Sequence, residues 1–174
     1  MKITVKKIMS WKPCEENYDE ARVKSLIGNG KTPLEICDLD IPAEDRLWVV
    51  LRPEIIPEND LHEMACKFAE QALKAKQKAG RKPHPDSWEA IRVKRLWINK
   101  KATDEQLQAA KSAAWSAARS AAESAAWAAA ELAAKSAADS AGRLAAWSAA
   151  ESAVWSAARK KQINIVKRYF KKGN

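Results

Sequence analysis

From residue 111 to residue 160 the chain is written almost entirely as A-A-x-S: "KSAAWSAARSAAESAAWAAAELAAKSAADSAGRLAAWSAAESAVWSAARK", with x drawn from Trp, Arg, Glu, Lys and Asp. An α-helix turns about 100° per residue, so each unit of four advances about 400° and the alanine pair drifts about 40° per unit. A straight helix of this kind has no fixed apolar face. Relative to Trp115, the wheel puts Trp147 and Trp155 within an arc of about 80° and Trp127 outside it. Either the helix follows a right-handed superhelical path, as repeats longer than 3.6 do, or it is interrupted and its phase reset. Length favours interruption. Residues 103–171 in one helix would span about 100 Å, against a diameter of roughly 40 Å for a compact chain of this size. Gly142 is the only glycine of the repeat and displaces an alanine of a pair, so it marks the expected break. Alanine is the best helix former, and its small side chain lets axes approach to about 8 Å. The repeat is therefore read as a device for packing helices closely, not as a ligand site.

Alanine supplies so much of the apolar share that the core depends on few large residues, the eight tryptophans among them. No run of about eighteen uncharged apolar residues exists, so no membrane span is expected. "MKITVKKIMSWKPC" has lysines but no apolar h-region, so no signal peptide is expected. Cys14, Cys37 and Cys66 are odd in number and widely spaced, which favours a reducing compartment, the cytoplasm by default. The net charge of +9 is uneven: residues 14–65 carry five basic against thirteen acidic groups, and 66–101 eleven against three. The segment 159–174 adds seven cations. Such asymmetry marks a protein that holds its own charged surfaces together or presents one to a partner.

Local signals predict helices. "KITVKK" alternates as a short N-terminal strand would. "NYDEARVKSLIGNG" reads as a helix through Val23, Leu26 and Ile27, stopped by Gly28 and Gly30. In "TPLEICDLD", Thr32, Pro33 and Glu35 form a capping box with proline at the first helical position. "IPAEDRLWVVL" and "IPENDLHEMAC" each open with Ile-Pro and acidic residues before an apolar helical run. The second continues through a stripe of Leu61, Met64, Ala65, Phe68, Ala72 and Leu73. Asp86 and Glu89 stand at capping-box spacing before a helix that buries Trp88 and Ile91, with Leu96 or Trp97 beyond. Thr103 and Gln106 form a further box that launches the repeat. The fold class is all-α: a compact multi-helix bundle with closely packed alanine-rich C-terminal helices. The expected division is 1–101, with a basic loop and helix, and 102–174, the two packed as one domain.

Candidate chemistry is sparse. His62 and Cys66 sit at i, i+4 on one helix and with Cys14 and Cys37 would make a Cys3His zinc set. No Cys-x-x-Cys spacing supports it, so neither metal nor cofactor is expected, and buried thiols are the simpler reading. Two histidines and five glycines assemble no Ser/His/Asp set, no phosphate loop and no HExxH. An enzyme is not expected. "RKKQINIVKRYFKKGN" places Ile163, Val166 and Phe170 on one helical face among its seven cations. It reads either as a final helix docking its apolar stripe or as an anion-binding surface. With the basic region from Lys74 to Lys101 it nominates Arg81, Lys82, Arg92, Arg95, Lys160, Lys161, Lys167 and Arg168 as ligand-binding candidates.

The order of these segments from Thr32 to Arg159 resembles a group of uncharacterised alanine/tryptophan-repeat proteins of bacteriophages and bacteria. The latter half is also similar to immunity proteins of bacterial toxin systems. The group offers no catalytic residues to carry over. The resemblance implies a role in conflict: a non-catalytic protein that inhibits or sequesters a component of a defence or toxin system. The expected partner is such a protein, or an anionic metabolite or nucleic acid. The alternatives are a nucleic-acid or nucleotide binder using the basic helices, and a structural protein oligomerising through its alanine faces.

Overall fold

The first thirty residues show how these segments close on one another. Thr4 accepts from Lys7 N and caps α1, Val5–Ser10. Val5 therefore joins a helix, and the expected strand shrinks to one antiparallel bridge, Ile3 to Lys31, with N···O distances of 2.7 and 3.1 Å. That bridge forces Gly30 against the Ile3 backbone. A Cβ at Gly30, where φ is +109°, would lie 3.1 Å from the Ile3 carbonyl oxygen.

The computed structural model describes residues 1–117 and 157–172. Most of the repeat, with Trp127, Trp147, Trp155 and the expected break at Gly142, lies outside the described residues. Among the described residues the protein is all-α, and no helix is long and apolar enough to cross a membrane. The compact units differ from a 1–101 and 102–174 division. One comprises Met1–Leu61 with Ser156–Asn174, the other His62–Trp155.

In the first unit α1 packs with α2, Glu20–Ile27, and α3, Pro33–Cys37, packs with α4, Ala43–Val50. Asp19 caps α2 through a 2.7 Å bond from Arg22 N, and Gly28 ends the helix at φ +56°. The box at Thr32 forms as expected, with Thr32 N donating to Glu35 at 2.7 Å. Both Ile-Pro signals open helices: the Pro42 carbonyl accepts from Asp45 and Arg46, and the Pro57 carbonyl from Asp60 and Leu61. The helix after Pro57 is α5, Glu58–Lys78, whose first residues belong to this unit. Residues 157–171 form a helix that buries Ile163 and Val166, with Phe170 half-buried, so this segment docks its apolar stripe. Tyr169 donates to Asp60 at 2.8 Å and Lys167 pairs with Asp38.

The second unit holds the rest of α5, α6 (Pro85–Ile98) and the helical residues 104–117. On α5, Met64 and Cys66 are buried while Ala65 and Ala72 are exposed, because the row His62, Cys66, Glu70 also turns inward. The expected cap at Asp86 is displaced. His84 caps α6 through Nδ1, which accepts from Asp86 N at 3.3 Å, and Glu89 instead pairs with Arg92. Pro85 at the first helical position explains the shift, since its fixed φ starts the helix two residues earlier. Thr103 and Gln106 bond reciprocally, at 2.9 and 3.3 Å. In the described part of the repeat Leu107 is buried, while Trp115 is 64% exposed.

Gly30→Ala tests the bridge. The strained φ and the close oxygen predict a loss of about 2 kcal/mol, read as a lower urea midpoint with an unchanged m-value.

Candidate functional site

Helices α1 to α4 are each too short to close a core fully, and they leave an apolar cleft of about 430 Å³ within the first unit. This falls inside the range of roughly 300–1,000 Å³ common for binding pockets. Ile8, Leu26, Ile36, Leu39, Ile41 and Val49 form its walls. Cys14, Asn17, Tyr18, Arg22 and Asp45 supply polar groups to the lining. Tyr18 donates to Asp45 Oδ2 at 2.6 Å. Burial and then the Asp45 carboxylate push the Tyr18 phenol up to about 12; Glu44 adds to the shift and Arg22 opposes it.

Trp48 lines the same cleft and is 38% exposed. It is held in place. The Arg52 guanidinium lies 4.0 Å from the Trp48 ring centroid and 5.1 Å from that of Trp11. Arg52 Nε donates to the Trp48 carbonyl at 3.0 Å, while its buried Nη2 has no hydrogen-bond partner among the described residues. Trp11 meets Trp48 edge-on at 6.2 Å and donates its indole N–H to Glu54 at 3.1 Å. Such stacked cation–π contacts contribute about 0.5–2 kcal/mol each, and here they fix the orientation of the exposed tryptophan.

The nominated cations fall into two groups. Arg81, Lys82, Arg92 and Arg95 belong to the second unit, and Lys160, Lys161, Lys167 and Arg168 to the first. Arg95 joins α6 to α5, donating to Glu63 at 3.2 Å and to Glu70. Its hydrogen bond holds the Glu70 carboxyl below the usual carboxylate range. Arg92 forms a fork on Glu89, at 2.7 and 2.6 Å. Lys167 is committed to Asp38. Arg81, Lys82, Lys160, Lys161 and Arg168 are solvent-facing. Arg92 and Arg95 do share an open depression of about 480 Å³ with Trp88, Asn99, Lys101 and Glu70.

The four metal candidates divide likewise, Cys14 and Cys37 in one unit, His62 and Cys66 in the other. Among the described residues no three His, Cys, Asp or Glu gather as ligands. His62 packs edge-on to Trp97 at 5.3 Å. Burial pushes the Cys37 thiol up to about 11 and also raises Cys66, whereas Cys14 is exposed at the cleft.

Sequence reading missed the cleft because its walls come from four helices and its polar pair joins residues 27 apart. The available signal was the set of large aromatics Trp11, Tyr18 and Trp48, of which Trp11 and Tyr18 stand outside the predicted apolar runs.

Two outcomes follow from this geometry. The chain has two tyrosines, and burial raises both Tyr18 and Tyr169 to about 12. The native phenolate absorbance should titrate near pH 12, and near the ordinary value of about 10 in urea. Because the folded state keeps the phenols protonated, the stability they contribute is complete below about pH 10 and is lost as the pH rises towards about 12. Arg95→Ala should cost about 1–2 kcal/mol, discounted for partial exposure. It should also flatten the acid limb of the stability profile, since Glu70 then loses the partner that favours its ionised form.

Comparison with family models, with curated proteins and with solved structures finds no match to this chain, so its function is read from its own residues.

Proposed function

We propose that the chain is a non-catalytic binding protein of the phage anti-defence or immunity type, acting in the cytoplasm. It inhibits or sequesters a component of a bacterial defence or toxin system. One observation carries the reading: a preformed apolar cleft whose exposed tryptophan is held by Arg52 and Trp11. A rigid aromatic beside an apolar pocket is what interface hot spots are made of. The cations nominated from sequence support it indirectly. Arg92, Arg95 and Lys167 are engaged with the chain's own carboxylates, and an anionic ligand would have to displace these.

A nucleotide-binding reading is favoured by one feature, the depression that places Trp88 beside Arg92, Arg95 and Lys101. It requires affinity that falls steeply with salt. The Glu70 carboxylate in the same lining works against it.

Affinity capture from bacterial lysate, with the wild type and with Leu26→Asp in parallel, tests the proposal. A macromolecule or metabolite retained by the wild type and lost by the folded variant is expected. Equal retention by both, or retention of nothing above background, overturns the reading.

A further inference from the structure

The segments that supply most of the lining are acidic on balance. Residues 12–24 and 40–48 hold seven carboxylates against four cations, Arg22 and Asp45 line the cleft itself, and Arg52, packed on Trp48, adds a fifth cation. Glu15, Glu16, Asp19, Glu20 and Glu44 are all exposed. Arg46, one of the four cations, is turned inward and donates to the Cys37 carbonyl at 3.0 Å. Asp45 meets Tyr18 through Oδ2 within the cleft lining. Apolar walls inside an acidic rim match a particular surface: one apolar face flanked by lysine or arginine. A volume of about 430 Å³ holds roughly the two or three anchor side chains that a short amphipathic helix presents at i, i+3 or i+4, and i+7.

We infer that this cleft receives a cationic amphipathic helix of the target protein, its apolar side chains entering beside Trp48 and its cations meeting the acidic rim. This rests on the binding reading above and adds the chemistry of the partner. Rim charges act mainly on encounter and on salt dependence, whereas the apolar anchors set the lifetime of the complex.

The probe is a fluorescein-labelled fourteen-residue Lys/Leu peptide with leucines on one helical face. It is compared with a Glu/Leu counterpart and with a Lys/Leu isomer whose leucines are spread around the helix. Fluorescence polarisation reads affinity, and the alkylation rate of Cys14, the exposed thiol of the cleft lining, reads occupancy. Both controls should bind at least tenfold more weakly than the first peptide, and that peptide should slow Cys14 alkylation at least fivefold. Glu15→Lys with Glu16→Lys, exposed positions whose exchange leaves the walls intact, should weaken it at least fivefold. Equal binding of the isomer or of the acidic peptide, or an unchanged affinity for the rim variant, overturns the inference. So does a self-association seen by sedimentation that protects Cys14 while the peptide does not, which would make a second copy the occupant. A small apolar dye that protects Cys14 where no peptide does would likewise overturn it. These last results would leave the binding reading standing, which fails only by its own lysate experiment.

Discussion

Short helices constrain everything in the first unit. Its first four helices run to six, eight, five and eight residues, well below the roughly 12–15 residues at which an isolated helix becomes marginally stable in water. Three of them therefore carry a side-chain cap, α4 opens on Pro42 without one, and each drives branched side chains inside. Thr4, Asp19 and Thr32 supply caps, and Ile8, Val23, Ile27, Ile36 and Val50 supply burial. Four helices of five to eight residues present too few side chains to interdigitate as long helices do. The unfilled space they leave is the cleft.

The second unit solves a different problem. Its longer helices need less capping but must reconcile a strongly basic stretch with close packing. Internal carboxylates do this: Glu63 and Glu70 hold Arg95, and Glu89 holds Arg92. Trp97 ties three groups together, donating to Asp104 at 2.6 Å, lying under the Lys94 ammonium at 3.7 Å and meeting His62 edge-on. Cations that looked like ligand-binding groups on sequence grounds thus serve partly as internal fastenings.

What sequence made legible was whatever is decided within four residues. The boxes at Thr32 and Thr103, the glycine stop at Gly28 and the Ile-Pro openings all depend on local backbone chemistry, and all are present. The cap falls at His84 and not at Asp86 because His84 before Pro85 offers an uncommon acceptor two residues earlier. "KITVKK" was misread because its alternation is too brief to outweigh the Thr4 cap. The site was illegible for a different reason. Trp11, Arg52 and Trp48 come together only when α1 and the end of α4 meet, and no spacing rule encodes that. The acidic balance of the segments that line the cleft, by contrast, is visible as the deficit of cations between residues 14 and 65.

The docking of residues 157–171 has a consequence for synthesis. Ile163 and Val166 are buried to 3% and 0% exposure in a unit whose other members all lie before residue 62. At about 5–20 residues per second, translation of the intervening hundred or so residues takes roughly 5–20 s. Throughout that interval the nascent N-terminal portion lacks the partner for its last apolar seat. The late helix is in effect a keystone, and the surface that awaits it is what a ribosome-bound chaperone would meet first.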